Sequence, residues 1–163
     1  MPVKARRYAW SIGVSSSTEL PQRSPRLFAL LAFVLPVAGF LINGRYLGSG
    51  DTEPAELLPI SVLREGDLDF DEFIGGADLP YPYRRIEGRV VSAYPIVPGL
   101  LNVPVFAFAD LLGVDLMENR LRLSLFSASL LCAGGSLLLY FALLRVLEGP
   151  RSQALFFTLV FAF

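Results

Sequence analysis

An uncharged stretch of 22 residues, LSLFSASLLCAGGSLLLYFALL from Leu123 to Leu144, sets the first limit on what this chain can fold into. Arginines close it at both ends, Arg122 and Arg145. At a helical rise of about 1.5 Å per residue, it reaches across the roughly 30 Å apolar core of a bilayer. A helix is also the form that keeps its own N–H and C=O groups bonded where water is absent. Ser124, Ala128, Cys132, Ser136 and Tyr140 recur at every fourth position. Four small side chains in one stripe let another helix approach closely, so Cys132 reads as a packing residue rather than a redox centre.

A second run, LFALLAFVLPVAGFLI, occupies Leu27 to Ile42 and also lacks charge. Carried on to Leu47 it gives a span at 27–47, with Arg45 snorkelling at the far edge. Pro36 predicts a kink in its middle. A cleaved signal peptide is the rival reading. The long polar stretch ahead of the run, and the lack of a small-x-small site after Ile42, favour a retained span. A third run, ALFFTLVFAF, starts at Ala154 and stops at Phe163. A chain terminus inside hydrocarbon is costly, so the sequence reads as the N-terminal piece of a longer polytopic protein.

With 53% hydrophobic and 18% charged residues, composition agrees with the membrane class. The expected fold is an all-α membrane protein whose transmembrane helices flank a long extracytoplasmic loop with short interfacial helices. Its parts are a basic tail over 1–26, a transmembrane helix at 27–47 and the loop over 48–121. A second transmembrane helix follows at 122–145, then a turn at 146–153 and the start of a truncated third span at 154–163.

Basic residues near span ends set orientation. The tail carries Lys4, Arg6, Arg7, Arg23 and Arg26 against one acid, Glu19. That places it in the cytoplasm of a multi-pass protein. Arg145 and Arg151 add to the same side. The connection over 43–122, with seven basic and thirteen acidic residues, then faces outward, on the periplasmic or lumenal side. Arg120 and Arg122, at the outer end of the second span, argue the other way.

There is no histidine and one cysteine. This excludes an intrachain disulfide, a histidine general base, a Ser-His-Asp triad and a Cys/His zinc site. Chemistry here must use carboxylates, arginines, tyrosines, hydroxyls or a hard divalent cation, magnesium or manganese, held by oxygen. No basic cluster sits on a folded segment and the sequence pI is about 5.4, so nucleic acid is not an expected partner.

The outer segment has structure of its own. Over 54–65, Pro54 suits a first helical turn, Gly66 suits the position after a helix end, and Pro59 bends what lies between. Leu57, Leu58, Ile60, Val62 and Leu63 are too many for a free surface, so the helix is expected on the membrane interface. Asp67, Asp69 and Asp71 then alternate with Leu68 and Phe70, an extended pattern with acids on one side. A calcium loop from Asp67 to Asp78 fails where Glu72 replaces the required glycine, which leaves a solvated acidic edge. Arg84, Arg85 and Arg89 lie among aromatics. They suit either a lipid-linked phosphate, whose oxygens fit the guanidinium fork, or pairing with nearby acids and head groups. A second interfacial or re-entrant helix is expected over 104–112, the run before it being broken by Pro98 and Pro104.

The order of these parts carries a resemblance. After the first span the loop opens SGDTEPAELLP and continues through EGDLDFDEF and SAYPIVPGLLNVPVFAFADLLG into a small-residue-rich span. Over 27–163 the chain resembles the start of bacterial GT-C-type membrane glycosyltransferases, the group that includes protein O-mannosyltransferases and the lipid A aminoarabinose transferase. The resemblance implies a bacterial inner membrane, and sugar transfer from a polyprenyl-phosphate-linked donor to an extracytoplasmic acceptor. It also implies an essential acid just outside the first span, here Asp51. Many members show two adjacent acids; this chain has Asp51-Thr52-Glu53, with Glu53 as the supporting candidate. Further transmembrane helices and membrane lipids are the implied neighbours, and this stretch alone is expected to be inactive.

Residue chemistry leaves two readings of Asp51 open. It suits an N-cap ahead of Pro54. It equally suits a general base, since a chain without histidine must take the proton of an acceptor hydroxyl with a carboxylate, and desolvation at a bilayer edge improves that base. A non-catalytic membrane scaffold and a transporter are the readings from other classes. Against transport, the spans hold no buried charge.

Overall fold

The computed structural model describes residues 24–42, 49–76, 78–147 and 149–163. Most of the basic tail and the expected end of the first span, 43–47, lie outside the described residues. The described chain is mostly helical, and two of its helices are long and apolar enough to cross a membrane. These are α1, Pro25–Ile42, and a 31-residue helix, α4, Leu116–Val146. Between them lie α2 (Glu53–Arg64), strands β1 (Tyr83–Ile86) and β2 (Arg89–Ser92), and α3 (Val97–Leu111). Helix α5, Arg151–Ala162, follows α4.

Helix α4 is longer at its start than the 122–145 expectation. Asp115 supplies the reason: its carboxylate accepts from the N–H of Glu118 at 2.9 Å, a cap that starts the helix two turns before the apolar run. Helix α5 likewise starts at Arg151, just after Pro150, which shortens the 146–153 turn. Helices α1, α4 and α5 pack on one another around Ala32, Tyr140 and Ala154, all fully buried. The face of α4 that turns inward is Ser129, Ala133, Ser136 and Tyr140. The four-residue stripe read from sequence therefore splits. Ser136 and Tyr140 pack, whereas Ala128 and Cys132 are exposed.

The intervening segment forms a platform on the first turns of α4. Helix α2 sits at its centre, bounded as its end signals indicate, with Gly66 at φ +80° closing it. It does not lie on an outer surface. Leu57 and Leu58 join Phe70, Tyr83 and Val90 on one side, while Ile60 joins Phe106, Ala109 and Leu116 on the other. Gly99 of α3 sets how closely the two helices meet, since a Cβ there would lie 2.8 Å from a Leu58 methyl group. Helix α3 begins at Val97 rather than Pro104. Pro98 falls in its first turn, where no N–H is needed, and Pro104 is carried inside the helix. It is α3 that shows apolar groups to the surroundings, with Phe108, Leu111 and Leu112 exposed.

The hairpin departs from the all-α expectation. Its turn residues Glu87 and Gly88 both have positive φ, 52° and 87°, the twist that suits a two-residue hairpin. The acidic stretch closes its outer edge. Phe70 donates its N–H to the Val90 carbonyl at 2.8 Å, and Val90 donates to Asp71 Oδ1 at 2.7 Å.

Candidate active site

Asp51 stands just before α2 and does not cap it. Thr52 is the N-cap residue, without a side-chain cap bond. Its hydroxyl lies 2.9 Å from the Ser49 carbonyl and 3.1 Å from Glu56 Oε1. Asp51 is exposed, and its Oδ1 accepts a hydrogen bond from the Tyr94 hydroxyl at 3.1 Å. Partial desolvation, and then this bond to the carboxylate, push the Tyr94 phenol above its ordinary value, so it stays a donor. The capping reading is thereby replaced by a tyrosine-supported carboxylate.

Glu53 is the first residue of α2, where a negative charge complements the helix dipole. It shares no hydrogen-bond partner with Asp51 among the described residues. Its charge acts instead on Tyr83, whose buried phenol is pushed up by desolvation first and by Glu53 next. The three arginines diverge. Arg89 pairs with Asp69 at 3.0 Å, Arg85 donates to the Gly76 carbonyl at 3.0 Å, and Arg84 has no polar partner among the described residues. Pairing with a neighbouring acid is thus seen for Arg89. The acids form a solvated edge only in part: Asp71, Glu72 and Asp78 are exposed. Asp69 is buried, Asp67 accepts from Ser61 Oγ, and Asp71 holds Val90. Among the described residues no three acidic or cysteine side chains gather to hold a metal ion.

Beside Asp51 runs a groove of about 490 Å³ between α2, α3 and α4, within the range of small-molecule sites. Thr52, Glu56, Asn102 and Ser124 line one end, and Leu101, Leu125, Ala128 and Leu131 line the rest. Asn102 donates to the Ala55 carbonyl at 3.1 Å, tying α3 to α2 at the polar end. The lining along α4 runs from Leu121 to Leu131, about 15 Å at the helical rise, and enters the apolar run.

Glu56 is the carboxylate that sequence reasoning missed. It is 6% exposed, and burial raises its pKa more than the Thr52 hydroxyl and Arg120 lower it. Arg120 Nε lies 3.7 Å from Glu56 Oε2, and neither it nor the buried Tyr83 hydroxyl has a hydrogen-bond partner among the described residues. Only the Thr52–Glu56 spacing, four residues apart on one helix face, could have pointed to it. No protein-family model, curated protein or solved structure matches this chain.

Proposed function

We propose that this chain is the membrane-proximal part of a glycosyltransferase that uses a polyprenyl-phosphate-linked sugar, with Asp51 as its general base. The observation that carries the reading is an exposed carboxylate, held by Tyr94, one residue from the lining of an apolar groove. The groove suits the apolar chain of such a donor. The basic tail is cytoplasmic and the platform faces outward. In the transfer, Asp51 takes the proton of an acceptor hydroxyl as its oxygen bonds to the anomeric carbon. The bond from that carbon to phosphate breaks, and polyprenyl phosphate leaves with the electron pair. Tyr94 orients Asp51 and keeps one oxygen occupied, so the other faces the acceptor.

Asp51→Asn retains an acceptor for Tyr94 but cannot take a proton. Sugar transfer from a polyprenyl-phosphate donor in membranes should fall by about 100-fold or more, at unchanged protein abundance. Full activity in this variant removes Asp51 from the mechanism. The groove and the exposed face of α3 would then read as assembly surfaces of a scaffold.

A further inference from the structure

The geometry points to a saccharide-binding corner formed by Tyr81, Tyr94 and Asp51, which makes the acceptor of the proposed transferase a sugar rather than a peptide hydroxyl. The two rings stand perpendicular, at 89° with centroids 6.3 Å apart, and Asp51 sits where the Tyr94 hydroxyl reaches it. Tyr81 is 65% exposed and Tyr94 38%, so neither ring is held as core.

The segments that carry both rings are nevertheless restrained. Tyr81 lies between Pro80 and Pro82, and the turn there is closed by the Tyr83 N–H on the Pro80 carbonyl at 3.0 Å. Tyr94 precedes Pro95, and its N–H donates to Ser92 Oγ at 3.0 Å. Gly50 leaves the room that Tyr81 needs, because a Cβ there would lie 2.9 Å from the ring. A tyrosine ring, with only two side-chain torsions, loses little entropy when a ligand covers it.

The chemistry of this corner matches a pyranose. The face of an aromatic ring is electron-rich and attracts the weakly positive C–H groups on one face of a sugar. One Asp51 oxygen has no partner among the described residues, and its two lone pairs can accept from two hydroxyls. A peptide serine or threonine offers one hydroxyl and no such C–H face. The inference rests on the transferase reading for its role in catalysis, but the binding itself does not.

The test is saturation-transfer NMR on the protein in phosphatidylglycerol nanodiscs, free of sugar detergents. The probes are methyl α-mannopyranoside, methyl β-glucopyranoside and methyl N-acetyl-β-glucosaminide, with no donor present. At least one glycoside should show transfer, which falls five-fold or more in Tyr81→Ala and in Asp51→Asn and persists in Tyr81→Phe. No signal from any glycoside overturns the proposal, and is the outcome expected if the tyrosines only anchor the platform among lipid head groups. A signal unchanged in Tyr81→Ala overturns it as well. Because no glycosyl transfer is assayed, a failure of Asp51 as the base leaves this result to stand or fall by itself.

Discussion

The three-helix group and the platform beside it are held by different means. In α4 and α5 three serine and threonine hydroxyls bond within their own helix. Ser129 donates to the Leu125 carbonyl, Ser136 to Cys132 and Thr158 to Ala154, each four residues back. Helix meets helix there through Ala32, Ala133 and Ala154, which are small enough to let backbones come close. In the platform, polar side chains join segments far apart in sequence. Asp71 reaches Val90, Asp69 reaches Arg89, Asn102 reaches Ala55 and Tyr94 reaches Asp51. In the three-helix group the helices meet by packing of small side chains, whereas in the platform polar bonds fix a particular geometry. Sites that must hold a carboxylate in place therefore fall on the platform.

The contrast can be broken most forcefully at Phe106, which is fully buried between α2 and α4. Phe106→Ala should cost about 3–5 kcal/mol. Thermal unfolding should show the loss, with protease cutting in the platform while α1 and α4 stay protected. Next comes the hairpin edge. Asp71→Ala leaves the Val90 N–H without its acceptor and should cost about 1–3 kcal/mol, whereas Asp71→Asn should cost much less. Hydrogen exchange at Val90 separates the two.

A titration sharpens the comparison further. Burial raises the Glu56 pKa in the folded protein, so the folded state holds this proton more tightly than the unfolded one. Its contribution is then fully present below the unfolded value and is lost as pH rises through the higher folded value. Stability measured from acid toward neutral pH should decline through that window, and Glu56→Gln should flatten the decline. The smallest effect is expected in the three-helix group. Ser136→Ala removes only a bond to its own helix and should change stability by about 0.5 kcal/mol or less. A loss as large as that of Asp71→Ala would erase the distinction drawn above.

The sequence made the helical regions legible where local signals suffice. Pro54 and Gly66 bracket α2 because both residues act through their own backbone. The start of α3 was hidden because Pro98 looks like a break, although in a first turn proline removes no bond. The hairpin was hidden because Arg84, Arg85 and Arg89 mask the strand pattern, and only the Glu87-Gly88 pair between Ile86 and Val90-Val91 hints at a turn. Asp51 stood out by its neighbours, but whether it capped depended on Tyr94, 43 positions away. Glu56 gave almost no sign, since its burial is decided by α3 and α4. Local chemistry is written along the chain, and desolvation is not.

Helix α4 belongs to both regions: its first turns pack under α2 and its later ones against α1 and α5. At 31 residues it is a single rod of about 46 Å, with no proline to act as a joint. Gly134 and Gly135 are the points where its backbone is least constrained. One continuous helix thus runs under both regions, like a post beneath a shelf, so the distance from bundle to carboxylate is spanned by a single element.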